Sequence, residues 1–288
     1  MEKMRIALAG AGIMGKGMGE RLLAAGHALA VMAHRSRTNV EALVAQGARE
    51  VHSPGELARG AGIIILCLPD TDAARSMIEA FEADLEPGQI VMDMGTSEPA
   101  LAEEMVDRLG RRGCFFADAP VAGGAAQAAE GTLGALVGAS SEVLERITPV
   151  LSVLCARISP MGPPGSGAKA KLISNYLVVS MVASITETFR MARRADVDWA
   201  MLYGAMLQGS NNSVALRRIV EPALEGNFDG YRFSVAHALK DLTYFLSMSR
   251  DLGGASACAE ATLSFYERAV AAGKGDWNVS RLLQTDED

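Results

Sequence analysis

Aromatic side chains make up only 5% of this chain, and no cluster of basic residues offsets that scarcity. Acidic residues outnumber basic ones, leaving a net charge of −7. Nucleic-acid recognition needs a cationic surface and stacking platforms, so no nucleic acid is expected as a partner. Cysteine is sparse too. Cys67, Cys114, Cys155 and Cys258 are scattered and form no Cys-x-x-Cys pair. With no signal peptide ahead of the first apolar run, they read as reduced thiols of a cytoplasmic protein. His27, His34, His52 and His237 show no ligand spacing, so no metal site is expected. One stretch, 172–189, is apolar enough to raise the question of a bilayer. Asn175, Thr186, Glu187 and several serines interrupt it, and Lys171 and Arg190 bracket it. It reads as a buried interior helix, and no membrane association is expected.

What is present is an ordinary globular balance, 49% apolar and 21% charged, in a 288-residue chain long enough for two medium domains. Short apolar runs at 5–8, 29–32, 62–66, 90–93, 114–117 and 133–137 read as strands. Helical spacing occupies 18–24, 40–45, 73–81 and 101–109 between them. Strands alternating with helices imply crossover units and a parallel sheet. The cluster Pro160-Met-Gly-Pro-Pro-Gly165-Ser-Gly167 breaks this pattern. Beyond it a long helix is expected over about 168–193. Helical spacing then recurs at 200–207, 214–224, 235–249 and 258–271 without obvious strands. The expected architecture is α/β: an N-terminal doubly wound Rossmann-type parallel sheet (1–164), followed by an all-α C-terminal domain (165–288) entered through the long helix.

Gly10-Ala-Gly12-Ile13-Met14-Gly15 follows the first apolar run, where a strand should turn into a helix. Gly10 would permit the tight turn, Gly12 would let backbone reach a pyrophosphate, and Gly15 would let the helix press on the strand. The helix N-terminus then offers free N–H groups to phosphate. A dinucleotide fold that prefers NAD places a carboxylate at the end of the second strand. Here no carboxylate occurs from 28 to 39, and His34-Arg35-Ser36-Arg37 occupies the expected place. Guanidinium and hydroxyl groups suit a ribose 2′-phosphate, so NADP is favoured over NAD. A solvated basic loop is the alternative reading of the same residues.

Lys171 and Asn175 stand four residues apart at the start of the long helix and share one helical face. A lysine beside apolar neighbours can donate or accept a proton at a reacting carbonyl, with the amide holding the same oxygen or the amine. Spacing alone does not separate this role from a solvated surface charge.

Several stretches recur in one order: Gly10-Ala-Gly-Ile-Met-Gly15, Asp118-Ala-Pro-Val-Ala-Gly-Gly124, Gly131-Thr-Leu133, Gly165-x-Gly-x-x-x-Lys171-x-x-x-Asn175 and Lys240-Asp-Leu242. In these the chain resembles the β-hydroxyacid dehydrogenase family, which includes 3-hydroxyisobutyrate dehydrogenases, tartronate semialdehyde reductases and glyoxylate or succinic semialdehyde reductases. The resemblance implies that Lys171 is catalytic and Asn175 its companion. It implies that Gly123 and Gly124 receive a substrate carboxylate, and that Thr96 lies near nicotinamide and substrate. Leu68 and Pro69 would border the cofactor, Lys240 would reach it from the helical domain, and Phe233 and Asp241 would line or close the cleft. The stretch His34-Arg35-Ser36 resembles that of NADP-preferring members, displaced by one residue. Family members commonly pair through the helical domain, which implies a homodimer or homotetramer.

One departure matters. Ala122 stands where the family usually has a serine whose hydroxyl helps hold the substrate carboxylate. Losing a hydrogen bond to a charged group costs about 1.5–3 kcal/mol. The expected activity is NADPH-dependent interconversion of a small aldehyde or ketone, semialdehyde-like, with its alcohol or hydroxy acid. Imine reduction on the same fold is the main alternative, and retention of Lys171 counts against it. A non-catalytic NADP-binding protein is the second.

Overall fold

The structure is a computed structural model and describes residues 3–33 and 37–285. The chain forms two compact units, 1–171 and 172–288.

The first unit is built on strand–helix repeats. β1 (Arg5–Ala9) leads into α1 (Ile13–Ala24), β2 (Ala28–Met32) into α2 (Arg37–Ala45), and β3 (Arg49–Val51) into the short α3 (Pro54–Ala58). β4 (Ile63–Leu66) leads into α4 (Thr71–Phe81), and β5 (Ile90–Asp93) into α5 (Pro99–Gly110). The unit continues through β6 (Phe115–Asp118), β7 (Val121–Ala122), α6 (Ala125–Glu130), β8 (Leu133–Gly138), α7 (Ser141–Leu154) and β9 (Cys155–Gly162). Parallel pairing in the order β3-β2-β1-β4-β5-β6 makes this the doubly wound nucleotide fold.

Both faces of the sheet are covered, which explains the near-continuous apolar strands. Ile6, Leu8, Ile63 and Ile65 pack with Met18 and Leu22 of α1 and with Ile147 and Leu151 of α7. Ala7, Ala9, Ile64 and Leu66 face the other way, toward Ile78 and Phe81 of α4 and Met105 and Leu109 of α5. Ile63–Leu66 is fully buried on both faces, and each such side chain contributes roughly 1.5–3 kcal/mol.

Two expectations need correction here. The 133–137 strand does not extend the parallel sheet: β8 runs antiparallel to β6 and β7. The chain between β6 and β8 is taken up by β7 and the six-residue α6, with no long crossover helix to return it to the far end. Nor does the Pro160–Gly167 cluster end the sheet regime. Pro160 and Gly162 lie inside β9, which pairs with β8 and is largely exposed. Proline lacks a ladder donor, but such a position tolerates it.

α8 (Ser166–Arg194) begins in the first unit and continues into the second. Then come α9 (Trp199–Leu207), α10 (Val214–Leu224), α11 (Val235–Asp251), α12 (Ala257–Ala271) and a 3-10 segment at Val279–Gln284. Asp198, Ser213 and Ser234 cap α9, α10 and α11 by accepting from the N–H groups of Met201, Leu216 and His237. Val182 and Phe189 of α8 form a core with Ile219, Val235, Leu242, Phe265 and Tyr266. Arg190, almost fully buried, donates through Nε and Nη2 to the Leu282 carbonyl at 3.1 and 2.8 Å.

The expectation of an interior helix holds only in part. One third (33%) of the most apolar window of α8 is buried, and Ile173, Leu177 and Met191 are 54–61% exposed. Apolar residues occur around much of this helix, and a single stripe faces the core. By length and composition it is the only helix among the described residues that could cross a bilayer.

Candidate active site

The glycine turn sits at the carboxyl end of β1, as the sequence required. Gly10 adopts φ +101°, and a Cβ there would lie 2.2 Å from the Cys67 carbonyl oxygen. A Cβ on Gly15 would lie 1.8 Å from the Gly10 oxygen. Neither position tolerates a side chain. Gly12 differs: a Cβ there would meet nothing within 4 Å. It forms the N-cap of α1 without any side-chain capping bond, so the first amides of the helix, from Ile13 and Met14, stand at an open face. Such a backbone cradle fits the pyrophosphate of a dinucleotide. The turn is also tied from α2, where Asn39 Nδ2 donates to the Ala11 carbonyl at 2.9 Å. Sequence reasoning missed Asn39.

The loop at the carboxyl end of β4 meets this turn, and the loop at the carboxyl end of β5 lies against the β4 loop. Leu68 approaches Gly10, and Pro69 follows it immediately before Asp70, which caps α4 through the Ala73 N–H at 2.8 Å. Thr96 is placed by its neighbours. The buried Asp93 accepts from Gly95 N–H at 2.8 Å and from Ser97 Oγ at 2.6 Å, so both sides of Thr96 are pinned to β5. A Cβ on Gly95 would sit 2.9 Å from the Leu68 carbonyl, so the two loops touch. Leu68, Pro69 and Thr96 therefore gather with the glycine turn at one end of the sheet.

Of the basic stretch, His34, Arg35 and Ser36 lie outside the described residues. Arg37 opens α2 with its guanidinium held by Glu50 at 2.8 Å and Glu41 at 3.1 Å, and Glu50 in particular raises its pKa. A 2′-phosphate would have to compete with those carboxylates for it.

Ala122 ends β7, and Gly123 follows with φ +129° and its Cβ position closed by Leu133 and Gln127. Gly124 caps α6, yet its N–H already donates to Gln127 Oε1 at 2.9 Å. An incoming carboxylate would displace that amide oxygen. Gln127 was missed in the sequence, although its place three residues after the cap position is the capping-box spacing.

At the end of β6, Asp118 is buried and bonds to the start of α8. Its Oδ1 accepts from Gly165 N–H at 2.6 Å and its Oδ2 from Ala168 N–H at 2.7 Å. Burial pushes this carboxyl up to about 6, despite the amides that favour its charge; the nearby Asp93 adds to the rise. Lys171 follows within one turn and is half-buried, whereas Lys169 reaches outward to Glu103 at 3.2 Å.

In the helical unit Asn175 Nδ2 donates to Asp241 Oδ2 at 2.6 Å, and Asp241 is 3% exposed. Lys240 Nζ lies 3.1 Å from Asp241 Oδ1 and over the Tyr244 ring. Phe233 stacks on His237, whose Nδ1 lies 2.6 Å from Ser234 Oγ. The structure thus brings Asn175, Lys240 and Asp241 into one polar cluster, while Phe233 packs on His237 and against the helical core. His27 is structural, accepting from Met4 N–H at 3.2 Å. Burial pushes the Cys67 thiol up to about 12 and Cys155 to about 11, so neither supplies a thiolate at neutral pH.

Residues 5–162 match the family model for the NAD binding domain of 6-phosphogluconate dehydrogenase, and 165–285 match that for the NAD-binding region of NADP-dependent 3-hydroxyisobutyrate dehydrogenase. A mitochondrial 3-hydroxyisobutyrate dehydrogenase-like protein of Arabidopsis thaliana is 32% identical over 83% of this chain and 76% of its own. The 3-sulfolactaldehyde reductase of Escherichia coli is 29% identical over 97% of this chain and 94% of its own. Among solved structures, 3-hydroxyisobutyrate dehydrogenase of Mycobacterium tuberculosis with L-serine superposes with a TM-score of 0.90 at 25% identity, covering 98% of this chain and 99% of the other. With the glycine cradle, the doubly wound sheet and the helical unit in place, the chain belongs to the β-hydroxyacid dehydrogenase family and is an NAD(P)-binding oxidoreductase.

Proposed function

We propose that this protein is an NADPH-dependent reductase of small aldehydes or ketones of semialdehyde type, working reversibly on the corresponding alcohol or hydroxy acid. The observation that carries the reading is Lys171 itself, half-buried on the first turns of α8, whose start is bonded to the end of β6. A bound nicotinamide would supply the hydride. The chain's own residues then do the rest. The open amides after Gly12 would hold pyrophosphate, and Leu68, Pro69 and Thr96 would border the cofactor. Lys171 stabilises the forming alkoxide and protonates it, with Asn175 as its companion. The amides of Gly123 and Gly124 orient an acid group, without the hydroxyl that Ala122 lacks. From the helical unit, the resemblance assigns Phe233 and Asp241 to the substrate and Lys240 to the cofactor. Preference for NADPH rests on Arg35 and Ser36, on Arg37 in competition with Glu41 and Glu50, and on the absence of a carboxylate from 28 to 39.

A second copy of this chain is the proposed cover for Ile173, Leu177 and Met191 on α8, giving a cytoplasmic homodimer or homotetramer. The test of activity is a spectrophotometric panel of NADPH and NADH against semialdehydes, glyoxylate, simple ketones and cyclic imines. Oxidation of NADPH with semialdehydes is expected. Turnover confined to imines would replace this reading with imine reduction, and binding without any turnover would make the protein a non-catalytic NADP binder.

A further inference from the structure

We propose that Asp118 is a positioning residue for Lys171: its carboxylate fixes both the place and the rotation of the first turn of α8 on the end of β6. The proposal rests on the reading of Lys171 given above. A helix ordinarily takes its N-terminal cap from the residue just before it. α8 instead takes it from a strand end 47 and 50 residues earlier in the chain, through two oxygens on two amides. One bond fixes the position of the helix start more than its rotation. Two bonds to a carboxylate anchored in a sheet, with Gly167 packed against the Leu136 carbonyl, constrain both.

Three glycines clear the ground for this contact. Gly165 takes φ +90°, which delivers its N–H to Oδ1. A Cβ on Gly167 would lie 2.4 Å from the Leu136 carbonyl and 2.8 Å from Asp118 Oδ2, and one on Gly138 would lie 2.4 Å from Oδ1. The Gly165-x-Gly167 pair ahead of Lys171 is therefore a docking surface for Asp118. The strand partner of Asp118 on β5 is Asp93, which pins the two neighbours of Thr96. Two adjacent strand-end carboxylates thus set the backbone beneath two proposed site residues.

The geometry gives the effect its size. A side-chain tip stands roughly 5–6 Å from the helix axis, so a roll of about 20° moves it on the order of 2 Å. A misplacement of about 1 Å is enough to cost a hundredfold in rate. The charge is also expensive to keep buried, as the raised carboxyl indicates. The groups facing it are Asp93 from β5 and, across the same small cavity, Ser97 and Glu98; no cation lines that cavity among the described residues. A group kept only for stability would be better neutral.

The experiment compares wild type with Asp118→Asn, which keeps the shape but turns a donor toward one of the two amides. Amide hydrogen exchange of the apoprotein over 165–171 reads the helix start directly. Protection there is expected to fall at least tenfold, while β1, β4 and β5 remain protected. NADPH affinity should stay within about twofold and kcat should drop about a hundredfold. Exchange as slow as wild type, or lost protection with unchanged kcat, would overturn the proposal. If Asp118→Asn does not fold, Gly167→Ala presses on the same contact from the helix side. It should give the same divided result, and full kcat in it would be equally fatal. A wild-type chain that reduces no carbonyl would sink the reading of Lys171 instead, and the exchange pattern would then decide alone whether Asp118 holds the helix.

Discussion

Adding one methyl group at Gly12 and at Gly15 should have opposite consequences, although the two lie three residues apart in one motif. At Gly15 the new Cβ would sit 1.8 Å from the Gly10 carbonyl oxygen, a backbone atom that cannot swing away. α1 would have to lift from β1, disturbing Met18 and Leu22, both fully buried. Overpacking of this kind costs about 1–3 kcal/mol or more. At Gly12 the Cβ meets nothing within 4 Å, and the backbone (φ −68°, ψ −166°) lies in a region open to any residue. The apoprotein should lose less than about 1 kcal/mol, chiefly through the poorer N-cap. The space that methyl fills is where the proposed cradle would receive a pyrophosphate, however. Weakening one charge-assisted hydrogen bond costs about 1.5–3 kcal/mol, or ten- to a hundredfold in affinity. Urea unfolding of the apoproteins and NADPH titration by fluorescence separate the two effects. Gly12→Ala binding NADPH like wild type, or unfolding as early as Gly15→Ala, would refute the placement of the cofactor cradle.

Lys171→Ala should lower kcat by several orders of magnitude with NADPH affinity almost unchanged; near-normal turnover in steady-state assays would remove the lysine from the mechanism. Ala122→Ser should lower KM for aldehydes bearing a carboxylate by about tenfold or more, since it restores a hydroxyl donor, and an unaltered KM would argue against an acid-bearing substrate. The raised carboxyl of Asp118 makes a signed prediction about stability. A proton held more tightly in the folded chain stabilises it below the ordinary carboxylate range, and that contribution is lost as pH rises from about 4 to about 6. Wild type should therefore lose on the order of 2–3 kcal/mol relative to Asp118→Asn across that window. Paired urea titrations at several pH values check this, and parallel curves would contradict it.

What the sequence revealed follows from what each residue does locally. Ile63–Leu66 is a strand buried on both faces and reads as an unbroken apolar run. The range 214–224 was legible to the residue, because its apolar stripe and its Ser213 cap are both local. β3 was not, since Arg49-Glu-Val51 is three residues long and mostly polar. α7 was obscured by Pro149 within it, although Ser140 and the apolar spacing from Val143 to Leu154 mark it well. At the site, Gly10 and Gly15 announced themselves by type, because no other residue survives there. Asp118, Asn39 and Gln127 did not. Gln127 stands at capping-box spacing from Gly124, but a glycine there lacks the hydroxyl that would complete the pattern, whereas Asp118 and Asn39 bond to backbone groups distant in the chain. Polar ties of that kind become visible only when strands and helices have been brought together.

The Arg190 clamp has a bearing on how the polypeptide emerges from the ribosome. Its guanidinium waits for the Leu282 carbonyl, and Arg193 waits for that of Leu283, each some ninety residues later. The entry to α11 is likewise incomplete until Val279 N–H reaches the Phe233 carbonyl and Asn278 reaches Asp229. The nucleotide-type sheet closes through short successive repeats and, among the described residues, has all its strands by residue 162. Synthesis should therefore yield a finished sheet while the helices behind it stay loose, and ribosome-bound chains stalled near residue 270 should be cut by protease mainly beyond 172.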